Sequence, residues 1–139
     1  MEKYQFIFND KKYELTLENL EAFINDEESP VQGINDSNIL ELLNENSEVS
    51  FDAEYYEESC ENCKTGVAEK AKYFEFLEFH FYIFTKDSNY VMSTLSKAYE
   101  DTSYNRLLKQ GKVDKSYIAS VIVCKHCSDY SIEIEQCEI

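Results

Sequence analysis

The sequence predicts an α+β fold, a mainly antiparallel sheet with short helices, and three observations lead there. Apolar and polar residues alternate with period two over residues 4–17, 48–56 and 130–135, the pattern of strands with one wet and one buried face. Other segments carry apolar residues at helical spacing behind Ser, Thr or Asp, the side chains that cap a first turn. With 11 Tyr and 9 Phe in 139 residues, the chain also has enough large apolar bodies to fill a core. At this length folding buries roughly two thirds of the unfolded chain's surface, so residues 1–139 are expected to form a single domain.

Along the chain, Tyr4, Phe6 and Phe8 alternate with Gln5, Ile7 and Asn9. After Asn9 and Asp10 the alternation resumes through Tyr13, Leu15 and Leu17, which predicts an N-terminal β-hairpin. Thr16 can cap a helix carrying Leu17, Leu20, Phe23 and Ile24, and Asp36 or Ser37 a second one carrying Ile39, Leu42 and Leu43. Ser29, Pro30, Val31, Gln32 and Gly33 form the clearest loop. Val49, Phe51, Ala53 and Tyr55 then define the buried face of a strand whose other face carries Glu48, Ser50, Asp52, Glu54 and Tyr56.

Residues 67–77 admit two readings. Val67, Ala71, Phe74 and Leu77 fit a helix; alternatively one long strand runs on through Phe79, Phe81 and Ile83, with a bulge near Leu77 to bring Phe74 and Phe76 into register. Asp87 or Ser88 can cap a helix through Val91, Leu95 and Ala98. Thr102 or Ser103 can cap another through Leu107 and Leu108, stopping at Gly111, where a left-handed residue needs no Cβ. Residues 118–123 are apolar on both faces, as a central strand requires, and Tyr130, Ile132 and Ile134 alternate with Ser131, Glu133 and Glu135 in a last strand.

Charge is distributed unevenly. Residues 13–63 hold 15 Asp and Glu and no Lys or Arg, while the remaining 13 acids and 13 bases cancel, so the whole net charge of −15 belongs to that stretch. Such a field repels nucleic acid and anionic membrane and suits a basic protein partner; the plain alternative is a solvated face that keeps the protein soluble. The opening residues 1–8 are too short an apolar patch for a secretory leader, and the longest apolar runs are four residues, far below a membrane span. A cytoplasmic location is therefore expected. Nothing in the sequence specifies the oligomeric state.

Chemistry concentrates in the cysteines. Five Cys is an odd number, and in a reducing compartment two Cys-x-x-Cys pairs read as a metal site before disulfides. Cys60, Cys63, Cys124 and Cys127 are the expected ligands of one structural zinc ion. Two thiolates two residues apart both point into a tight turn, and two such turns complete a tetrahedron. Each pair falls where a strand ends, so the turns face each other if their strands are neighbours, with the second pair forming the turn of a hairpin. The competing uses are a dithiol redox site and a zinc-release sensor. Glu57, Glu58 and Glu61 beside the first pair are expected to disfavour thiolate nucleophiles, and no Pro or Trp of thioredoxin-like sites adjoins either pair.

These knuckles resemble those of zinc ribbons, whose metal site is usually structural. Sixty residues separate Cys63 from Cys124, against the ribbon's usual ~15 to 20. Neither Cys63 nor Cys127 is followed directly by glycine, although Gly66 comes three positions after Cys63. The resemblance thus implies a split, ribbon-like clasp with a strand and a helical pair inserted between its halves. Over its whole length, and on the stretch Tyr104, Asn105, Arg106, Leu107, Leu108, Lys109, Gln110, Gly111, Lys112 before the second knuckle, the chain resembles an uncharacterised clostridial family, a domain of unknown function. That resemblance implies a low-GC bacterial cytoplasm and no activity.

Other residues read as structural. His126, inside the second knuckle, is expected to point outward, and His80 to be a surface or hydrogen-bonded residue of an aromatic strand. The zinc-deaminase pattern fails, since Glu78 precedes His80 in reverse order and no Pro precedes either knuckle. Cys137 shares a face with Glu133 and Glu135, which predicts an exposed thiol with a raised pKa. Asp26, Glu27 and Glu28 lack calcium-loop spacing and read as a solvated turn. The sequence favours a non-catalytic, zinc-stabilised acidic interaction protein over an enzyme; a nucleic-acid mimic is a further alternative.

Overall fold

A computed structural model describes residues 3–46 and 49–138. Met1, Glu2 and Glu48, the last being the first position of the predicted 48–56 alternation, lie outside the described residues.

Strands β1 (Lys3–Phe8) and β2 (Lys11–Thr16) form the predicted hairpin, with Phe6 opposite Tyr13 and Tyr4 opposite Leu15. Asn9 and Asp10 both take positive φ, 49° and 65°, as a two-residue turn matched to strand twist requires, and Asn and Asp tolerate that region better than most residues. Tyr13 and Leu15 are fully buried on the inner face of this hairpin.

The expected helix after Thr16 is instead a strand, β3 (Leu20–Ile24). The Thr16 hydroxyl accepts from the Glu18 amide and donates to Asn19 Oδ1, making a local turn rather than a helix cap. The segment then pairs parallel with β8 (Tyr130–Cys137), more than a hundred residues away, setting Phe23 beside Ile132. Helix α1 (Asp36–Glu45) forms where expected, but its cap is Asn35, whose side chain accepts from the Asn38 amide in a capping box. Asp36 lies one position inside, where a carboxylate favours the positive helix end. Ile39, Leu40, Leu42 and Leu43 are its buried face.

Strand β4 (Asp52–Tyr56) follows. Its alternation buries Phe51 and half-buries Ala53, but Tyr55 is 64% exposed because it pairs with Glu75 beyond the edge of the core. The ambiguity over residues 67–77 resolves as turns up to β5 (Phe74–Lys86), a continuous 13-residue strand. No bulge occurs near Leu77: β5 pairs with β7 (Lys115–Cys124) residue for residue from Phe76 to Thr85. Phe74 and Phe76 simply occupy the opposite face from Leu77, Phe81 and Ile83, where they are half-buried and Phe76 meets Tyr56 edge to face, so neither set has to move.

The helix expected behind Asp87 or Ser88 is likewise a strand, β6 (Asn89–Ser93), followed by a single 3-10 turn at Lys97–Tyr99. Asp87 and Ser88 have φ of 51° and 72° and close a tight hairpin back onto β5, a conformation that cannot begin a helix. Helix α2 (Tyr104–Lys109) matches expectation, with the Ser103 side chain accepting from the Arg106 amide and Gly111 at φ +71° past its end.

The strands assemble in the order β3, β8, β7, β5, with β4 and β6 sharing the far edge of β5. All neighbours are antiparallel except β3 with β8. The apolar strand at 118–123 is therefore central, as its composition requires. One sheet face packs Leu77, Ile83, Val121, Val123, Ile132 and Ile134 against α1 and the hairpin to make the principal core. On the other face, Phe84 gathers Leu107 and Val113 into a small second core under α2. Among the described residues no helix is long and apolar enough to cross a membrane.

Asp26 pins the 25–31 loop to the last strand. Its carboxylate accepts from the amides of Glu28, Ser29 and Gln136, and these backbone bonds, with Gln136 first, hold its pKa below the ordinary 3.8. A lowered native pKa stabilises the fold above the unfolded value and loses that contribution as pH falls through the native one. Asp26→Ala is expected to cost about 1 kcal/mol at neutral pH, the low end for charge-assisted bonds because the carboxylate remains partly in water. Urea unfolding should show that difference vanish in strong acid; a pH-independent deficit would contradict this assignment.

Candidate metal centre

Each knuckle is a turn closed on its own first cysteine. In the first, separated from β4 by three residues, the Lys64 amide donates to the Cys60 carbonyl. In the second, which joins β7 to β8, the Ser128 amide donates to the Cys124 carbonyl and the Cys124 amide to Asp129. The position after each second cysteine is left-handed, with φ of 50° at Lys64 and 70° at Ser128. The turn thus has the shape that usually calls for glycine, carried here by other residues. Gly66 serves a different need: its φ is +93°, and a Cβ there would lie 3.1 Å from the Phe74 ring.

The strands that deliver the knuckles are not neighbours, contrary to the condition set by the sequence, because β5 runs between β4 and β7. The turns meet nonetheless at one end of the sheet, where Cys124 is paired with Phe76 of β5. Cys60 Sγ lies 3.6 Å from Cys127 Sγ, and Cys63 Sγ 3.7 Å from Cys124 Sγ. All four sulfurs fall within 4.8 Å of one another, with Cys60 and Cys124 buried. A tetrahedron with metal–sulfur bonds near 2.3 Å has edges of about 3.8 Å, so this donor set can hold a metal ion. The insert between the halves is not a strand and a helical pair but β5, β6, a 3-10 turn, α2 and β7.

Three of these thiols are shifted in acidity, not all in the same direction. Burial raises the Cys60 thiol, although the Cys63 and Asn62 amides donate to its sulfur and oppose the rise. Burial raises Cys124 further, against donation from the Cys127 and His126 amides. At Cys63 burial is outweighed by the Thr65 hydroxyl, 3.1 Å away, by the Thr65 amide and by the neighbouring thiols, which bring it down to about 7. At the first pair the thiolate is disfavoured at Cys60, in the expected direction but through burial rather than Glu57, Glu58 and Glu61, while Cys63 moves the opposite way.

The sequence did not point to the residues that hold the second knuckle in place. Lys11 Nζ donates to the Lys125 and His126 carbonyls at 2.9 and 3.3 Å, and the Tyr13 hydroxyl donates to the Lys125 carbonyl at 3.1 Å. Asn19 donates to the Ser128 carbonyl, and Lys125 pairs with Glu75 at 2.8 Å. For Lys11 and Tyr13 the signal in the sequence was the predicted hairpin; the contacts themselves span 50 residues for Lys125 with Glu75 and more than a hundred for the others.

His126 is exposed and outside the cluster, as expected. His80 Nδ1 lies 2.8 Å from Ser120 Oγ, and its Nε2 3.6 Å from Glu78, a hydrogen-bonded surface histidine as read from the sequence. Cys137 has the expected raised pKa, but it is half-buried rather than exposed, and burial, not the neighbouring carboxylates, is the cause.

A family model described as a protein of unknown function (DUF3785) matches residues 4–139. No curated protein and no solved structure matches.

Proposed function

The chain belongs to that family of unknown function, and we propose that it is a zinc-stabilised, non-catalytic interaction protein of the cytoplasm whose acidic surface receives a basic protein. The observation that carries this reading is the closed set of four thiolates. With four sulfurs on one ion, no coordination position is left for substrate or water, so the metal's work is to hold the ribbon-like clasp shut. Zinc suits an all-sulfur tetrahedron in a reducing compartment. The charge supports the rest, because the 15 acids of residues 13–63 have no base among them. Charges extend past that stretch around the clasp: the Glu21 carboxyl is raised by burial first and then by facing Glu61 and Asp129.

Retention of lysate proteins on the immobilised zinc-loaded chain tests the reading at low and high salt. Since the screening length falls from ~10 Å at 0.1 M to ~3 Å at 1 M, basic partners should be captured at low salt and released at high salt. Capture of no basic protein in a salt-dependent way would refute it.

A second reading, a zinc-release sensor, is favoured by the cross-knuckle sulfur pairs at 3.6 and 3.7 Å. Once the ion leaves, each pair of thiolates can give two electrons to a peroxide, forming one disulfide while the peroxide takes two protons and departs as two waters. Thiol titration separates the two: four thiols protected until a chelator is added support the clasp, and rapid disulfide formation in aerobic buffer supports the sensor.

A further inference from the structure

The sheet face opposite the principal core is not fully covered. Between the second core under α2 and the first knuckle lies a pocket of about 240 Å³, walled by Tyr56, Phe76 and Ile122 and by the carboxylates of Glu58, Glu78 and Glu133. The register explains the convergence. Glu78 of β5 is directly opposite Ile122 of β7 on one side and Asp52 of β4 on the other, while Glu133 of β8 is opposite Ser120. Strand alternation therefore brings all of them to this one face.

We propose that this pocket binds a primary ammonium group, the side chain of a lysine on a protein partner. The inference rests on the reading of the chain as a receiver of basic proteins and gives that contact a place.

Glu78 is the decisive residue. It is 9% exposed, yet among the described residues no Lys or Arg pairs with it, nor with Glu58 or Glu133. Its neighbours are the Tyr56 hydroxyl and His80 at 3.6 Å, a neutral donor and a group charged only when protonated. A carboxylate withdrawn from water and lacking a permanent counter-charge is costly, and an incoming cation relieves that cost. The Tyr56 phenol reports the same field: burial raises its pKa first, followed by Glu78, Glu133 and Glu54.

Size and shape favour lysine. The volume lies below the ~300–1,000 Å³ of most small-molecule sites but accommodates one extended side chain. Tyr56 and Phe76 meet edge to face at 5.3 Å, and with Ile122 they offer apolar walls for a methylene stem. An ammonium has three donors in three directions, matching acceptors that come from β5, β8 and the segment before the knuckle.

The test is an NMR titration of the zinc-loaded protein with Nα-acetyl-lysine methylamide and with its Nε-acetylated counterpart. The free amine should shift Tyr56, Phe76 and Ile122 saturably, and the acetylated probe should not. Glu78→Gln, nearly isosteric and able to keep the Tyr56 contact, should weaken binding by about tenfold or more. Glu133→Gln, on a half-exposed residue with little structural burden, should weaken it less but measurably. Equal shifts from both probes, or unchanged affinity in both variants, would overturn the proposal. If salt-dependent capture of basic proteins survives unchanged in Glu78→Gln, the pocket assignment falls and the broader reading stands. If the lysine probe binds as described while no basic protein is captured, the broader reading falls and the pocket stands.

Discussion

Replacing Cys60, Cys63, Cys124 or Cys127 by Ser is expected to abolish stoichiometric metal and to cost at least about 3 kcal/mol, a fall in melting temperature on the order of 10 °C. The wild-type chain should carry one zinc. A structural zinc site contributes on the order of 10 kcal/mol in small peptides, comparable with the whole stability of a domain this size. Here the loss should be partial, because the sheet of β3, β8, β7 and β5 has its own core of Leu77, Ile83, Val121 and Ile132 away from the sulfurs. The metal-free protein should retain most of its secondary structure while its two knuckles loosen. Cys137→Ser, which removes a thiol outside the cluster, should change stability by under about 1 kcal/mol. Metal analysis and thermal unfolding of the five variants decide the matter. Protein purified without metal, or a Cys137 variant as damaged as the other four, would refute the clasp.

Tyr13→Ala should destabilise the fold by about 3–5 kcal/mol, the range for deleting a buried aromatic ring. Tyr13 is 1% exposed, stacks on Phe6 at 5.1 Å, and through Phe6 continues to Phe51 at 4.1 Å. Its hydroxyl also reaches the Lys125 carbonyl, so the hairpin both closes the core and braces the second knuckle. Tyr13→Phe separates the two roles: it keeps the ring and removes one hydrogen bond, for about 1 kcal/mol. Its distinctive sign should be faster transfer of metal to a chelator than in wild type. An unchanged transfer rate in Tyr13→Phe would mean that the hairpin supports the core but not the metal centre.

What the sequence by itself determined was everything whose cause is local or chemical. The hairpin turn at Asn9 and Asp10, the Ser103 cap and Gly111 stop of α2, and the two-faced apolar strand at 118–123 follow from side chains acting within a few residues of themselves. The four cysteines of the candidate metal centre were legible for the same reason, since a Cys-x-x-Cys turn defines its own geometry. Only the tertiary structure decided the rest. Residues 20–24 and 89–93 have spacings that satisfy a helix equally well; pairing with distant β8 makes the first a strand, and the Asp87–Ser88 turn that folds the second back onto β5 makes it another, because ladder bonds outweigh a weak local preference. Phe74 and Phe76 needed no bulge once the face opposite the principal core proved able to half-bury them. The same long-range register places Lys11 and Tyr13 under the second knuckle and carries the first knuckle past β5 to meet it. It also turns Glu58, Glu78 and Glu133, scattered over 75 residues, toward one pocket. Strand alternation tells which residues share a face of one strand, but which faces meet depends on the order in which the strands assemble.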